Sequence, residues 1–186
     1  MGLENFNFKL VEVMDFAEDM HKGQKRKYTG EDYIEHCYAV YELFLEFAEE
    51  YDELFTQEEV DAAAAACLLH DTVEDTAATH EDIQQKFGDL IAQYVWYLTK
   101  VPVYIGNRQK RKAMDADRLA MAPLIVRVIK YFDLYHNAQS IFEHDAKFTK
   151  VFVPETIRLL AAMNVASVGI PSYSEFAKKL IEKNSE

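Results

Sequence analysis

The chain has 186 residues, 49% of them hydrophobic, with six glycines and four prolines; this fits one folded domain, excludes a disordered segment, and leaves too few turn residues for a many-stranded barrel or sandwich. Thirty-two acidic against twenty basic side chains leave a formal net charge of −12, which repels nucleic-acid polymers and anionic membranes. No apolar run is long enough to cross a bilayer, no secretory signal opens the chain, and Cys37 and Cys67 alone make no disulfide framework, so a soluble, reduced, cytoplasmic protein is expected.

Helical periodicity dominates from the start. Leu10, Met14, Ala17 and His21 share one helical line, so the first helix ends with a histidine on or beside its buried face. After the Thr29-Gly30 break a second helix is expected from near Asp32. In it Ile34, Tyr38, Tyr41 and Leu45 form one stripe, and His36, Val40, Leu43 and Phe47 a neighbouring one. Thr56 and Glu59 make a capping box before Val60, Ala63, Ala64, Cys67 and Leu68, and that helix runs into His70 and Asp71. Thr79 and Asp82 open a short helix that Gly88 closes, and Ile91, Val95 and Leu98 carry another. Val101 to Asn107 reads as a loop.

Pro123 fits a helix start. The apolar run from Leu124 to Phe132 suits a strand or a helix, and its continuation through Ile125, Ile129, Phe132 and His136 favours the helix. Two more helices are expected, from about Pro154 and from about Glu175, the second capped by Ser172. The sum is an all-α bundle of roughly eight to ten helices, read as a single domain over residues 1–186.

His70-Asp71-Thr72-Val73-Glu74-Asp75-Thr76 is the stretch richest in chemistry. An imidazole and a carboxylate stand side by side where an Ala/Leu-rich helix finishes, and two more carboxylates follow one turn later. Burying such a cluster requires a counter-charge, and a divalent cation supplies one. Mixed nitrogen and oxygen donors suit Mn, Fe or Zn better than Ca. Further donors sit at helical positions. His36 lies beside an apolar stripe, and Asp133 and Asn137 share a helix face at i and i+4. Together His36, His70, Asp71 and Asp133 offer two imidazoles and two carboxylates, with positions left for water and substrate.

Several segments carry a more specific likeness, in order and at near-family spacing over about residues 8–142. They are His21-Lys22-Gly23-Gln24-Lys25-Arg26-Lys27, Tyr33-Ile34-Glu35-His36, Leu68 to Thr76, Phe87-Gly88, Leu98-Thr99-Lys100, and Lys130 to Asn137. The chain resembles the HD phosphohydrolase superfamily, in particular the hydrolase domain of RelA/SpoT-type alarmone enzymes and above all their small stand-alone members. Asp32 and Cys37 replace prolines of the family pattern, Leu134 replaces its usual arginine, and Tyr28 lengthens the loop before His36.

This resemblance implies an HD-domain helical bundle in which His36, His70, Asp71 and Asp133 hold Mn²⁺. It implies that Glu74 and Asp75 position or activate water and handle the leaving group. Arg26 and Lys27 become nucleotide contacts, and Asn137 a substrate contact. The implied reaction removes the 3′-pyrophosphate of (p)ppGpp, and the synthetase half of the bifunctional enzymes has no room here. The partner is then a small nucleotide. Two other readings fit the same residues: a phosphohydrolase acting on a nucleoside monophosphate or NADPH, and a non-catalytic nucleotide-binding HD protein. His21 is expected to support the site or to play a purely structural role, without ligating. The His144-Asp145 pair lacks a following acidic pair and reads as surface, Cys37 and Cys67 as packing residues, and Arg108 to Lys112 more as a solvated face than a substrate contact.

Overall fold

The computed structural model describes residues 3–170 and 172–185, with side chains from residue 9 onward. Among them it is built of α-helices and short 3₁₀ turns, with no strand beyond an isolated Lys25–Asp32 bridge. No described helix is long and apolar enough to cross a membrane. The chain divides into two compact units, Met1–Thr99 and Lys100–Glu186.

The first unit holds α1 (Leu3–His21), α2 (Ile34–Glu50), α3 (Gln57–Leu69), the single turn α4 (Thr72–Asp75), α5 (His80–Phe87) and α6 (Asp89–Leu98). Its centre is α3, which packs on α1, α2 and α6. Ala62 to Leu69 are all buried, so this stretch of the helix has no polar face. Truncating Leu68 or Leu69 there would cost about 2–5 kcal/mol. The predicted capping box is present: Glu59 accepts from the Thr56 backbone at 2.9 Å, and Thr56 accepts from the Glu59 backbone at 3.3 Å. Thr79 and Asp82 form a second box on α5, and Gly88 between α5 and α6 takes φ 96°, which glycine adopts without strain. On α2 the buried residues are His36, Cys37, Val40, Phe44, Phe47 and Ala48. Of the two expected stripes, the one through His36, Val40 and Phe47 therefore faces the core, whereas Leu45 of the other is exposed.

The second unit holds α7 (Arg108–Ala120), α8 (Leu124–His144), α9 (Ala146–Met163) and α10 (Tyr173–Asn184), with α9 packed on the other three. The apolar run after Pro123 is helical, as its period indicated. Two expectations need correction, and one helix was not anticipated. The segment after the 101–107 loop is helix α7, capped by the Asn107 side chain, which accepts from the Lys110 backbone at 2.9 Å. Helix α9 starts at Ala146, capped by Asp145, and carries Pro154 in its interior; proline there donates no backbone bond but does not end the helix. Ser172 precedes α10 without capping it through its side chain, because its hydroxyl pairs with Tyr131 at 2.8 Å.

Candidate metal centre

Helix α3 delivers His70 and Asp71 at its C-terminal end. The chain keeps right-handed helical angles through both residues before α4 begins. Thr72 locks this corner by donating its hydroxyl to the Leu69 carbonyl at 2.7 Å, and the Asp75 amide closes α4 onto the Asp71 carbonyl at 3.0 Å. His70 Nδ1 lies 2.8 Å from the Cys67 carbonyl. A carbonyl only accepts, so Nδ1 carries a proton, and in the neutral ring Nε2 is the nitrogen with the lone pair.

That nitrogen stands 3.0 Å from Oδ2 of Asp71 and 3.3 Å from Nε2 of His36, which is itself 3.7 Å from the same carboxylate oxygen. All three side chains are buried. Tyr33 donates its hydroxyl to Asp71 Oδ2 at 2.7 Å. Donors sharing one ion at ~2.1 Å stand about 3.0–3.4 Å apart, close to the spacing seen here. Two imidazole nitrogens and a carboxylate oxygen converging in a buried space fit a divalent transition-metal ion.

Glu74 is half-buried on α4 and Asp75 is exposed. Arg26 and Lys27 lie in the turn between α1 and α2. Backbone bonds from the Arg26 amide to Glu31 and from the Gly30 amide to Arg26 hold that turn, and the Arg26 guanidinium sits 5.8 Å from the centre of the Tyr33 ring. The Lys27 ammonium donates to the Tyr28 hydroxyl at 2.9 Å. In the second unit, Asp133 is buried on α8. Its carboxylate accepts from Lys130 at 2.6 Å and from Asn137 at 2.6 Å, one bond to each oxygen.

Sequence reasoning did not single out Tyr33 or Gln24, although both stand within the family-like segments. Gln24 donates to the Asp75 carbonyl at 2.6 Å. His144 and Asp145 form no site: His144 is exposed beside Glu143, and Asp145 caps α9 by accepting from the Phe148 amide at 2.8 Å. Both cysteines are buried and unpaired with each other, and burial pushes the Cys67 thiol well above its ordinary range.

A bundle of helices with a buried His, His-Asp donor set defines a class, and the sequence agrees with it: the HD-domain family pattern matches residues 14–163, and the chain belongs to that family. Within the family it is 33% identical over 129 residues to the bifunctional (p)ppGpp synthase/hydrolase SpoT of Escherichia coli K12, covering 67% of this chain and 17% of that protein. It is 30% identical over 162 residues to the guanosine-3′,5′-bis(diphosphate) 3′-pyrophosphohydrolase of Aquifex aeolicus, covering 83% of this chain and 21% of that one. The chain therefore spans about a fifth of the length of these curated relatives. A solved structure described as a metazoan ortholog of SpoT that hydrolyses ppGpp shares the fold, with a TM-score of 0.68 at 22% identity over 83% of this chain and 85% of that one.

Proposed function

We propose that this chain is a cytoplasmic, metal-dependent (p)ppGpp 3′-pyrophosphohydrolase acting in alarmone breakdown, with Mn²⁺ as its ion and residues 1–186 working as one catalytic module. The observation that carries the reading is the convergence of His36, His70 and Asp71, followed one helical turn later by Glu74 and Asp75. His36, His70 and Asp71 act as ligands, and the family resemblance adds Asp133 as the fourth. When bound, the ion polarises a phosphoryl oxygen and makes water more acidic.

The chain's own residues do the rest. Glu74 and Asp75 orient the attacking water, take its proton and return one to the leaving ribose oxygen. The bond between the 3′ oxygen and phosphorus breaks, water supplies hydroxyl to the pyrophosphate and hydrogen to the ribose, and GDP or GTP remains. Arg26 brings a planar guanidinium suited to phosphate or a base, and Lys27 a point charge. Asn137 contacts substrate. These cations provide local attraction for a polyanion in a chain of net charge −12.

The test is incubation of Mn²⁺-loaded protein with ppGpp, assayed for GDP and pyrophosphate beside a panel of nucleoside monophosphates and NADPH. GDP plus pyrophosphate supports the reading. Faster turnover of another panel member assigns the site to that substrate instead. Tight ppGpp binding without turnover in any metal makes it a non-catalytic nucleotide-binding protein.

A further inference from the structure

Helix α1 ends in a buried histidine that the proposed chemistry does not use. His21 is 2% exposed. Its Nδ1 lies 2.7 Å from Oε1 of Gln24, while its Nε2 meets no hydrogen-bond partner among the described residues. The Gln24 amide nitrogen donates at 2.6 Å to the backbone carbonyl of Asp75. With that nitrogen committed, Oε1 faces His21 as an acceptor, so Nδ1 carries the ring proton. The order of donation is His21 to Gln24 to Asp75.

The turn that follows α1 fixes the geometry of this relay. Gly23 takes φ +80°, a conformation side chains rarely adopt, and lets the Gln24 amide return to the His21 carbonyl at 2.9 Å. The Tyr33 amide then bonds the Gln24 carbonyl at 3.0 Å. The His21 ring also stacks on Tyr33, with centroids 4.9 Å apart and planes 23° apart. One face of His21 thus supports the tyrosine that bonds Asp71, and one edge supports the glutamine that bonds Asp75.

Helix α4 is a single turn of four residues, too short to hold its shape by its own hydrogen bonds. We infer that Gln24, oriented by His21, is a positioning residue that anchors α4 so that the Glu74 and Asp75 carboxylates stand in register with the metal centre. This rests on the reading of Glu74 and Asp75 as the acidic pair. A partner one step removed from the reacting groups changes rate by about 10–100-fold when lost.

Gln24→Met keeps the bulk and removes both side-chain bonds. It is expected to lower kcat for ppGpp about 10–100-fold with KM and Mn²⁺ content unchanged, and to speed amide hydrogen exchange at residues 72–76. His21→Phe keeps the stack on Tyr33 but has no donor, and should match Gln24→Met. His21→Asn places an amide donor near the former Nδ1 and should restore most of the rate. Wild-type kcat and exchange in Gln24→Met would overturn the inference, as would His21→Asn behaving no better than His21→Phe. Wild-type protein that leaves ppGpp intact would instead sink the functional reading. The exchange comparison still decides the anchoring of α4 in that case.

Discussion

The Tyr33 hydroxyl donates a 2.7 Å hydrogen bond to Oδ2 of Asp71, 38 positions further along the chain. That oxygen is the same one that faces both His36 and His70. The tyrosine and both imidazoles therefore meet at one carboxylate oxygen. Partners of this kind hold ligands in orientation and raise affinity for the ion. Tyr33→Phe keeps the ring on His21 and removes only the hydroxyl. Mn²⁺ titration by calorimetry should show affinity reduced about 10–100-fold; an unchanged affinity would mean the hydroxyl does not tune this ligand.

Removing metal should be felt in stability as well as in rate. His36, His70 and Asp71 turn their donor atoms toward one another in a buried space, and without an ion that arrangement is unfavourable. Chelator-treated protein is expected to melt below the Mn²⁺-loaded form. Saturation at a hundred times Kd contributes about 2.7 kcal/mol. In His70→Ala the Mn²⁺-induced rise in Tm should disappear. A full rise in that variant would place the binding site elsewhere.

The acidic pair is predicted to separate binding from chemistry. Glu74→Gln and Asp75→Asn change charge without changing shape, and neither residue is among the proposed ligands. Metal content should stay at the wild-type level while kcat falls by at least ~10², the usual scale for losing a general acid or base. Parallel metal analysis and single-turnover assays check this. Loss of metal in either variant would move that residue into the ligand set.

Where the sequence carried a period or a local cap, structure was legible from it. The boxes at Thr56 and Thr79 and the proline start of α8 are contacts within four residues. So is the i, i+4 pairing of Asp133 with Asn137, here a 2.6 Å bond. Helix α7 was not legible, because its described buried residues are only Asp115 and Leu119 and the rest of its surface has no apolar stripe to count. The start of α9 was obscured because proline favours a first turn, yet Pro154 lies well inside the helix. At the site, residue types and spacing pointed to His36, His70 and Asp71. The bonds from Tyr33 and Gln24 span 38 and 51 positions, and no local pattern encodes such contacts.

The Thr56–Glu59 box predicts a pH-dependent share of stability. The Thr56 backbone and hydroxyl donors favour the ionised carboxylate and hold Glu59 below its ordinary value of 4.5. A group depressed in the folded state contributes fully above its unfolded value, and the contribution is lost as pH falls through the lower folded value. Thr56→Ala should cost about 1 kcal/mol at neutral pH. The gap from wild type should narrow as the pH falls below 4.5. Urea melts across this pH range test the sign, and a gap that widens in acid would refute it.

The two basic runs look alike in sequence but are held differently. In the second unit, Arg108 forks onto Glu155 with bonds of 2.6 and 2.8 Å, and its guanidinium lies 5.7 Å from the centre of the Phe148 ring. Arg111 donates to the Gly106 carbonyl, fastening the loop before α7. Both guanidiniums serve the packing of this unit, and the Glu155 bond raises the Arg108 pKa further. In the first unit Arg26 has its guanidinium over Tyr33, the residue that bonds Asp71. The variants should therefore diverge. Arg108→Ala should lose ~0.5–1 kcal/mol of stability, modest because the pair is partly exposed, with KM for ppGpp unchanged. Arg26→Ala should raise KM at least ~10-fold, the loss expected for one charge-assisted contact to a phosphate or base, with little change in Tm. Equal rises in KM for the two variants would show that the α7 run also binds substrate; a rise for Arg108→Ala alone would reverse the assignment.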